Sequence, residues 1–378
     1  MLDFLDLETP CLILDMDILK KNCEVMRKKC FSLGTSLRPH VKTPKNVQIA
    51  RIALDHESGP ITVSTLKEAE YFAHEGFKDI LYAVGIIPSK LSRVAKIQLE
   101  HNCVIKIILD SIQMAKAVVN YSSFNNTKFE VLIEIDCGEG RGGIKSKEES
   151  ILKEITSIFK NHKSANLVGV ITHAGQSYST NNKKTIISIA NHERDEALRT
   201  AKFLNNIDQA SPIVSIGSTP TILHATNLNG ISEVRCGVYM MWDLAQASKG
   251  VCQINEIAVT VLASVIHHKI QDNKIIIDAG ALSLSKDLTA NKFMPHAKYG
   301  LICDVKTCKP FPELNICELH QEHGTINVPE KKWFEIFPIG SLLRILPNHS
   351  CLTCAGHEKY HILQNNQISK VWKRVNGW

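Results

Sequence analysis

The chain has 378 residues, 44% hydrophobic and 22% charged, and its 44 lysines and arginines against 38 aspartates and glutamates give a formal net charge of +6. That make-up belongs to a globular protein of two domains or one large one and excludes a disordered or fibrous chain. The basic residues are scattered, as at Lys20, Lys21, Lys183, Lys184, Lys331 and Lys332, and do not form the patch a nucleic acid requires.

In chain order, acidic Asp3, Asp6 and Glu8 precede the first basic residue, Lys20, so no secretory signal is expected. Residues 61–65 read as a strand and Leu66–His74 as the helix after it. Residues 80–84, Val104–Leu109, 131–135, 167–172 and Ile213–Ile216 are further β-branched runs. Ile151, Leu152, Ile155, Ile158 and Phe159 mark one face of a helix between two of them. Strands apolar along their length and separated by helices predict a parallel sheet covered on both faces. About seven or eight such units suit a TIM-like (β/α)8 barrel. The fold class expected is α/β, with the barrel over residues 14–250.

The texture changes after Val251. Residues 275–277, 299–305, Leu342–Leu346 and 360–363 are strand-like with little helical periodicity between them, and Gln364-Asn365-Asn366-Gln367 reads as a hairpin turn. Residues 251–378, with 1–13, are expected to form a C-terminal β domain. The longest apolar stretch, 257–266, is broken by Thr260 and Ser264 and is too short to span a membrane. Twelve cysteines without a signal peptide point to reduced thiols in the cytoplasm.

Four stretches carry candidate chemistry. In Arg38-Pro39-His40-Val41-Lys42 the lysine is either surface charge or a Schiff-base lysine, which would need a desolvated pocket to lose its proton. The four glycines of Gly138-Glu139-Gly140-Arg141-Gly142-Gly143 make either a flexible loop or a tight turn that aims Arg141 across the barrel mouth. Gly217-Ser218-Thr219, after a strand late in the barrel order, offers N–H groups and hydroxyls to a phosphate. In Pro347-Asn348-His349-Ser350-Cys351-Leu352-Thr353-Cys354, His349 and Cys351 would share one face of a strand and converge on a metal. The rival reading there is a Cys351/Cys354 CxxC pair, and spacing alone does not separate the two.

These stretches occur in one order with Glu8-Thr9-Pro10, Thr172-His173-Ala174-Gly175-Gln176-Ser177-Tyr178, Asp278-Ala279-Gly280, Gln321-Glu322-His323-Gly324 and the tail Trp372-Lys373-Arg374-Val375-Asn376-Gly377-Trp378. Together they resemble, nearly end to end, the D-serine dehydratase/D-threonine aldolase family of pyridoxal-phosphate enzymes, which share the alanine-racemase-like fold. The resemblance implies that Lys42 forms the Schiff base with pyridoxal 5'-phosphate and that His40 belongs to the same cofactor set. It implies that Gly217, Ser218 and Thr219, with Gly237 and Tyr239, hold the phosphate. Arg141 matches the contact to the phenolic oxygen, His173 a side chain packed near the ring, and Arg235 an arginine near the pyridine nitrogen. Tyr178 joins Lys42 as a catalytic residue by position, orienting substrate with Gln176.

His349 and Cys351 match the pair that binds Zn2+ in the dehydratase branch. Aldolases that use Mn2+ are expected to carry a carboxylate in the second place, and a thiolate is the softer ligand. Zinc and dehydration of D-serine or a related 3-hydroxy D-amino acid are therefore expected, with manganese or another divalent ion as the alternative metal. Alternative activities are D-threonine aldolase cleavage, racemisation, and a non-enzymatic pyridoxal-phosphate-binding protein. A racemase needs a second acid/base for which no residue stands out, and the β domain argues against the last. The resemblance also implies a homodimer; the scattered basic residues and the short apolar stretch lead to the expectation of no nucleic-acid or membrane partner. Two departures stand out: Pro44 where many relatives have a second histidine, and Cys236 where arginine-proline-glycine is common.

Overall fold

The computed structural model describes residues 3–160, 162–207 and 209–378. The chain divides into two compact units, one of Val25–Gly237 with Gly377–Trp378, the other of Met1–Glu24 with Val238–Asn376.

The first unit is a parallel barrel. Its strands are β2 (Ser36–Leu37), β3 (Ile61–Val63), β4 (Asp79–Gly85), β5 (Val104–Leu109), β6 (Phe129–Ile135), β7 (Ala165–Thr172), β8 (Ile213–Ile216) and β9 (Glu233–Val234); β1 belongs to the second unit. They run in the order β2-β9-β8-β7-β6-β5-β4-β3, every neighbour parallel. The two ends meet where His40, just past β2, bridges Thr62 of β3 and the Val41 N–H donates to the Thr62 carbonyl. The predicted (β/α)8 architecture is thus present.

The intervening helices start where the sequence supplies side-chain caps. Asn46, Thr65, Ser111, Asn182 and Ser218 each accept a backbone N–H in the first turn of the helix that follows. Thr65, expected as the end of a strand, is one of these caps. Asp55, Asn102 and Asn126 end their helices in the left-handed conformation, which short polar side chains tolerate.

Along their length the strands are as apolar as expected, but the barrel interior is not. Arg38 is 3% exposed and donates to Glu233 Oε2 at 2.7 Å and to both oxygens of Asp79 at 2.9 and 3.0 Å. Lys106 donates to Asp79 Oδ1 at 2.7 Å and lies 3.2 Å from Glu130. Each of these charges is paired, which is what allows it to stay inside.

The second unit is a nine-stranded sheet, mostly antiparallel, built by the chain's two ends. β1 (Cys11–Asp15) lies between β10 (Val259–Lys269), antiparallel, and β16 (Lys359–Gln364), parallel. β11 (Lys274–Ile277), β12 (Leu301–Cys303), β13 (Pro310–Leu319), β14 (Gly324–Asn327), β15 (Leu342–Leu346) and β17 (Gln367–Lys373) complete it. The predicted turn joins β16 to β17 with Asn365 and Asn366 at φ 51° and 59°, the pair of positive φ values that a two-residue hairpin demands. Among the described residues no helix is long and apolar enough to cross a membrane.

Arg38→Ala should leave the Glu233 and Asp79 carboxylates without their shared cation and lower stability by about 3–5 kcal/mol, read from urea denaturation midpoints.

Candidate active site

At the barrel mouth a cavity of about 490 Å³ is lined by His40, Lys42, Arg141, His173, Gly217 and Arg235, with Ser64, Asp110 and Glu134. Six residues named from the sequence, as far apart as positions 40 and 235, therefore face one space.

Lys42 sits in the turn after His40, whose N–H donates to the Cys236 carbonyl at 2.7 Å. The turn is anchored downstream by Lys45, 3.2 Å from the fully buried Glu68 carboxylate, and by the Val47 N–H on the Tyr71 hydroxyl. Lys42 itself is exposed and lines the cavity. Pro44 lies in the same turn, away from any strand.

The glycine-rich loop is a tight turn. Asp136 Oδ1 accepts the Gly138 and Gly140 N–H groups, and Ile144 returns to pair with Ile135. Gly143 has φ +97°, and a Cβ there would lie 2.6 Å from the Asp136 nitrogen, so only glycine closes the loop. Arg141 at its tip is 60% exposed, 3.6 Å from Glu139. Glu134, on the cavity wall, has its carboxyl pushed up by burial, against the pull of Arg141.

His173 follows β7, and its Nδ1–H donates to the Gly217 carbonyl at 2.5 Å. Burial, with Lys42, Arg235 and Arg141 nearby, outweighs that bond and lowers its pKa to about 3. His40 is likewise pushed well down by burial and by Lys42 and Arg235. Both imidazoles are therefore neutral at pH 7. Arg235 is held by Nη1 on Ser215 Oγ at 2.7 Å and Nη2 on the Thr172 carbonyl at 2.6 Å.

The Gly217-Ser218-Thr219 stretch leads into a short helix, α8 (Thr219–His224; α1–α7 are the preceding α-helices). Gly217 has φ +148°, and a Cβ would sit 2.7 Å from the Arg235 nitrogen; a Cβ on Gly237 would sit 2.5 Å from the His40 carbonyl. Two glycines thus let backbone segments meet where side chains would collide. Tyr178, expected to orient substrate, has its hydroxyl accepting the Thr219 N–H at 3.2 Å and its ring tilted against His173. Gln176 donates to the Cys137 carbonyl. Tyr239 belongs to the other unit and is fully buried in the turn Val238–Met240.

In the second unit His349 and Cys351 are brought together, but not by strand alternation. His349 is extended and precedes a short helix, Ser350–Ala355, that contains Cys351 and Cys354, so the face-sharing argument does not hold. The first turn of that helix lies on Asp243, whose buried carboxylate accepts the Ser350 N–H at 3.0 Å. His349 Nδ1 donates to Asp287 Oδ2 at 3.1 Å, and the ring also hydrogen-bonds the Cys351 side chain. Burial opposes charge on this imidazole, but Asp287 and Cys351 prevail and hold its pKa up at about 11. Cys354 is fully buried, with its thiol pushed up to about 11 by burial, unlike a reactive CxxC thiol. Asp287 is not among the residues that the sequence points to; its contact with His349 is decided across 62 positions of chain.

A closed β/α barrel with a lysine, two arginines and neutral histidines at its mouth defines the class. The chain belongs to the alanine racemase family, whose N-terminal domain matches residues 14–244, and it continues into a putative serine dehydratase domain over 258–363. It is 36% identical to a D-threo-3-hydroxyaspartate dehydratase of Delftia sp. (strain HT23), covering 99% of each chain, and that protein's solved structure matches with a TM-score of 0.96 over the full length of both. A D-serine dehydratase of Dictyostelium discoideum is 32% identical over 100% of this chain and 98% of its own. A 3-hydroxy-D-aspartate aldolase of Paracoccus denitrificans is 27% identical over 98% and 92%. A variant of D-threo-3-hydroxyaspartate dehydratase is known in a metal-free form.

Because its pKa lies near 3, the His173 ring should stay neutral, with its proton on Nδ1, throughout pH 8 to 5; nitrogen NMR of the imidazole reads this directly.

Proposed function

We propose that the protein is a pyridoxal-phosphate- and zinc-dependent dehydratase that converts D-serine or a related 3-hydroxy D-amino acid to a 2-oxo acid and ammonia. The observation that carries this is the single cavity collecting Lys42, Arg141, His173 and Arg235, in a chain 36% identical end to end to a dehydratase of that substrate class. In this reading the barrel domain, 14–250, binds the cofactor, and 251–378 with 1–13 supply the metal.

The residues fit the cofactor. The glycine contacts at Gly217 and Gly237 shape a backbone cradle, and beside it Thr219 Oγ1 is buried facing the Cys236 thiol, with no oxygen or nitrogen partner among the described residues. Gly217, Ser218, Thr219, Gly237 and Tyr239 would hold the phosphate, Arg141 the phenolic oxygen and Arg235 the ring nitrogen, with His40 and His173 against the ring and Lys42 as the covalent anchor. The place of the Tyr178 hydroxyl, on the Thr219 N–H, favours a contact near the phosphate over one to the substrate. Pyridoxal phosphate bound there supplies an electron sink that makes the substrate Cα–H acidic. Lys42 Nζ takes that proton. The neutral His173 and His40 add no charge to compete with Arg235 or Lys42.

The donors at His349 and Cys351 also fit a metal. Imidazole and thiolate together suit zinc: with Asp287 on Nδ1, the ion would displace the proton that the ring shares with the Cys351 side chain. Among the described residues no group of three or more His, Cys, Asp or Glu side chains is arranged for a metal. Zinc there supplies a Lewis acid that lets the β-hydroxyl depart. Manganese or another divalent ion is the alternative. The twelve cysteines, all among the described residues, form no disulfide, in keeping with a cytoplasmic protein, and the family resemblance implies a homodimer.

The second reading, cleavage to glycine and an aldehyde, rests on the 27% identical aldolase. Purified protein given D-serine or D-threo-3-hydroxyaspartate should release ammonia with pyruvate or oxaloacetate, at least about tenfold more slowly after chelation and restored by zinc. Glycine as the product would overturn dehydration. Lys42→Ala should abolish the bound-cofactor absorbance band and cut turnover by roughly 10²–10⁴-fold.

A further inference from the structure

Glu193 lies within α7 (Lys183–Asn206), in the run His192-Glu193-Arg194-Asp195-Glu196, and is fully buried. Its Oε1 accepts the Ala174 N–H at 3.0 Å and the Gly217 N–H at 3.1 Å, and its Oε2 accepts the Thr221 hydroxyl at 2.7 Å. Those three partners belong to the loop after β7, the loop after β8 and the first turn of α8. Thr221 is in turn bonded to Ser218 through its side chain and to the Ser218 carbonyl. Gly217 is gripped from both sides, its N–H by Glu193 and its carbonyl by His173.

A buried carboxyl is costly unless its hydrogen bonds are made, and here every bond goes to a segment that forms the cradle. An apolar residue in that interior position of α7 would pack without this cost but would leave two backbone N–H groups without an acceptor. We propose that Glu193 is a positioning residue for the cofactor phosphate, holding Gly217, Ser218 and the His173 loop in their binding arrangement before the anion arrives. The proposal rests on the reading of this barrel as a pyridoxal-phosphate site. It adds a residue that touches neither cofactor nor substrate.

Glutamine can replace the carboxyl. Its amide oxygen accepts from Ala174 and Gly217, its NH2 donates to Thr221 Oγ1, and the Thr221 hydroxyl proton goes to the Ser218 carbonyl it already faces. Alanine removes all three contacts.

The test is titration of cofactor-stripped full-length protein with pyridoxal phosphate and, separately, with pyridoxal, which lacks only the phosphate, following bound-cofactor absorbance. Glu193→Ala should weaken pyridoxal phosphate by at least about tenfold while pyridoxal changes by less than about twofold, and Glu193→Gln should stay within about threefold of wild type on both. Should Glu193→Ala fail to fold, Thr221→Val removes one contact and should lower affinity for pyridoxal phosphate alone. An equal loss on both ligands, or no loss on pyridoxal phosphate, overturns the proposal. A wild-type protein that binds neither ligand overturns the cofactor reading itself, a result distinct from either of those.

Discussion

The Glu233 carboxylate is the contact on which the barrel and its mouth both depend. Oε2 accepts Arg38 Nε at 2.7 Å, and Oε1 accepts Ser215 Oγ at 2.7 Å. Through Arg38 it joins the start of the barrel to Asp79 and Lys106; through Ser215 it reaches Arg235 on the cavity wall. One buried charge thus ties barrel closure to the orientation of a cavity arginine. The pairing is mutually enforced: neither Arg38 nor Arg235 has water to fall back on, so a loss at Glu233 is felt at both ends.

Carboxylates recur as struts in this unit. Glu68 accepts the Ser64 N–H at 3.0 Å and pairs with Lys45, bracing the turn that carries Lys42. Glu193 braces the loops after β7 and β8, and Asp136 folds the glycine-rich loop that carries Arg141. Loops at the mouth of a barrel are intrinsically mobile because little packs over them, and an acceptor with two oxygens can hold several backbone N–H groups at once. The β unit uses the same device, where Asp243 and Asp287 seat the segment bearing His349 and Cys351.

Much of the fold was legible. Strands β5 to β8 declare themselves by apolar runs, because periodicity is a local effect, whereas the caps at Thr65, Ser111 and Ser218 emerge only in the structure. The two-residue strands β2 and β9 were not legible, since so short a pairing has no pattern and exists only because the barrel closes around it. Of the candidate site, Lys42, His173, Gly217 and Arg235 line one cavity, and what points to them in the sequence is motif resemblance and not periodicity. His349 and Cys351 were paired for the wrong geometric reason, the helix at Ser350 standing where a strand was expected. Glu193 was passed over because a glutamate amid His192, Arg194 and Asp195 reads as a solvated helix face.

The sequence by itself determined the alternation of strands and helices, the β-rich second half and the residue types available for chemistry. These depend on neighbours a few positions away. The tertiary structure alone decided which charges are buried and whom they meet, as in Arg38 with Glu233 across 195 positions and Arg235 with Thr172 across 63. A polar group's partner is set by desolvation once the barrel has closed, and no local pattern encodes that choice.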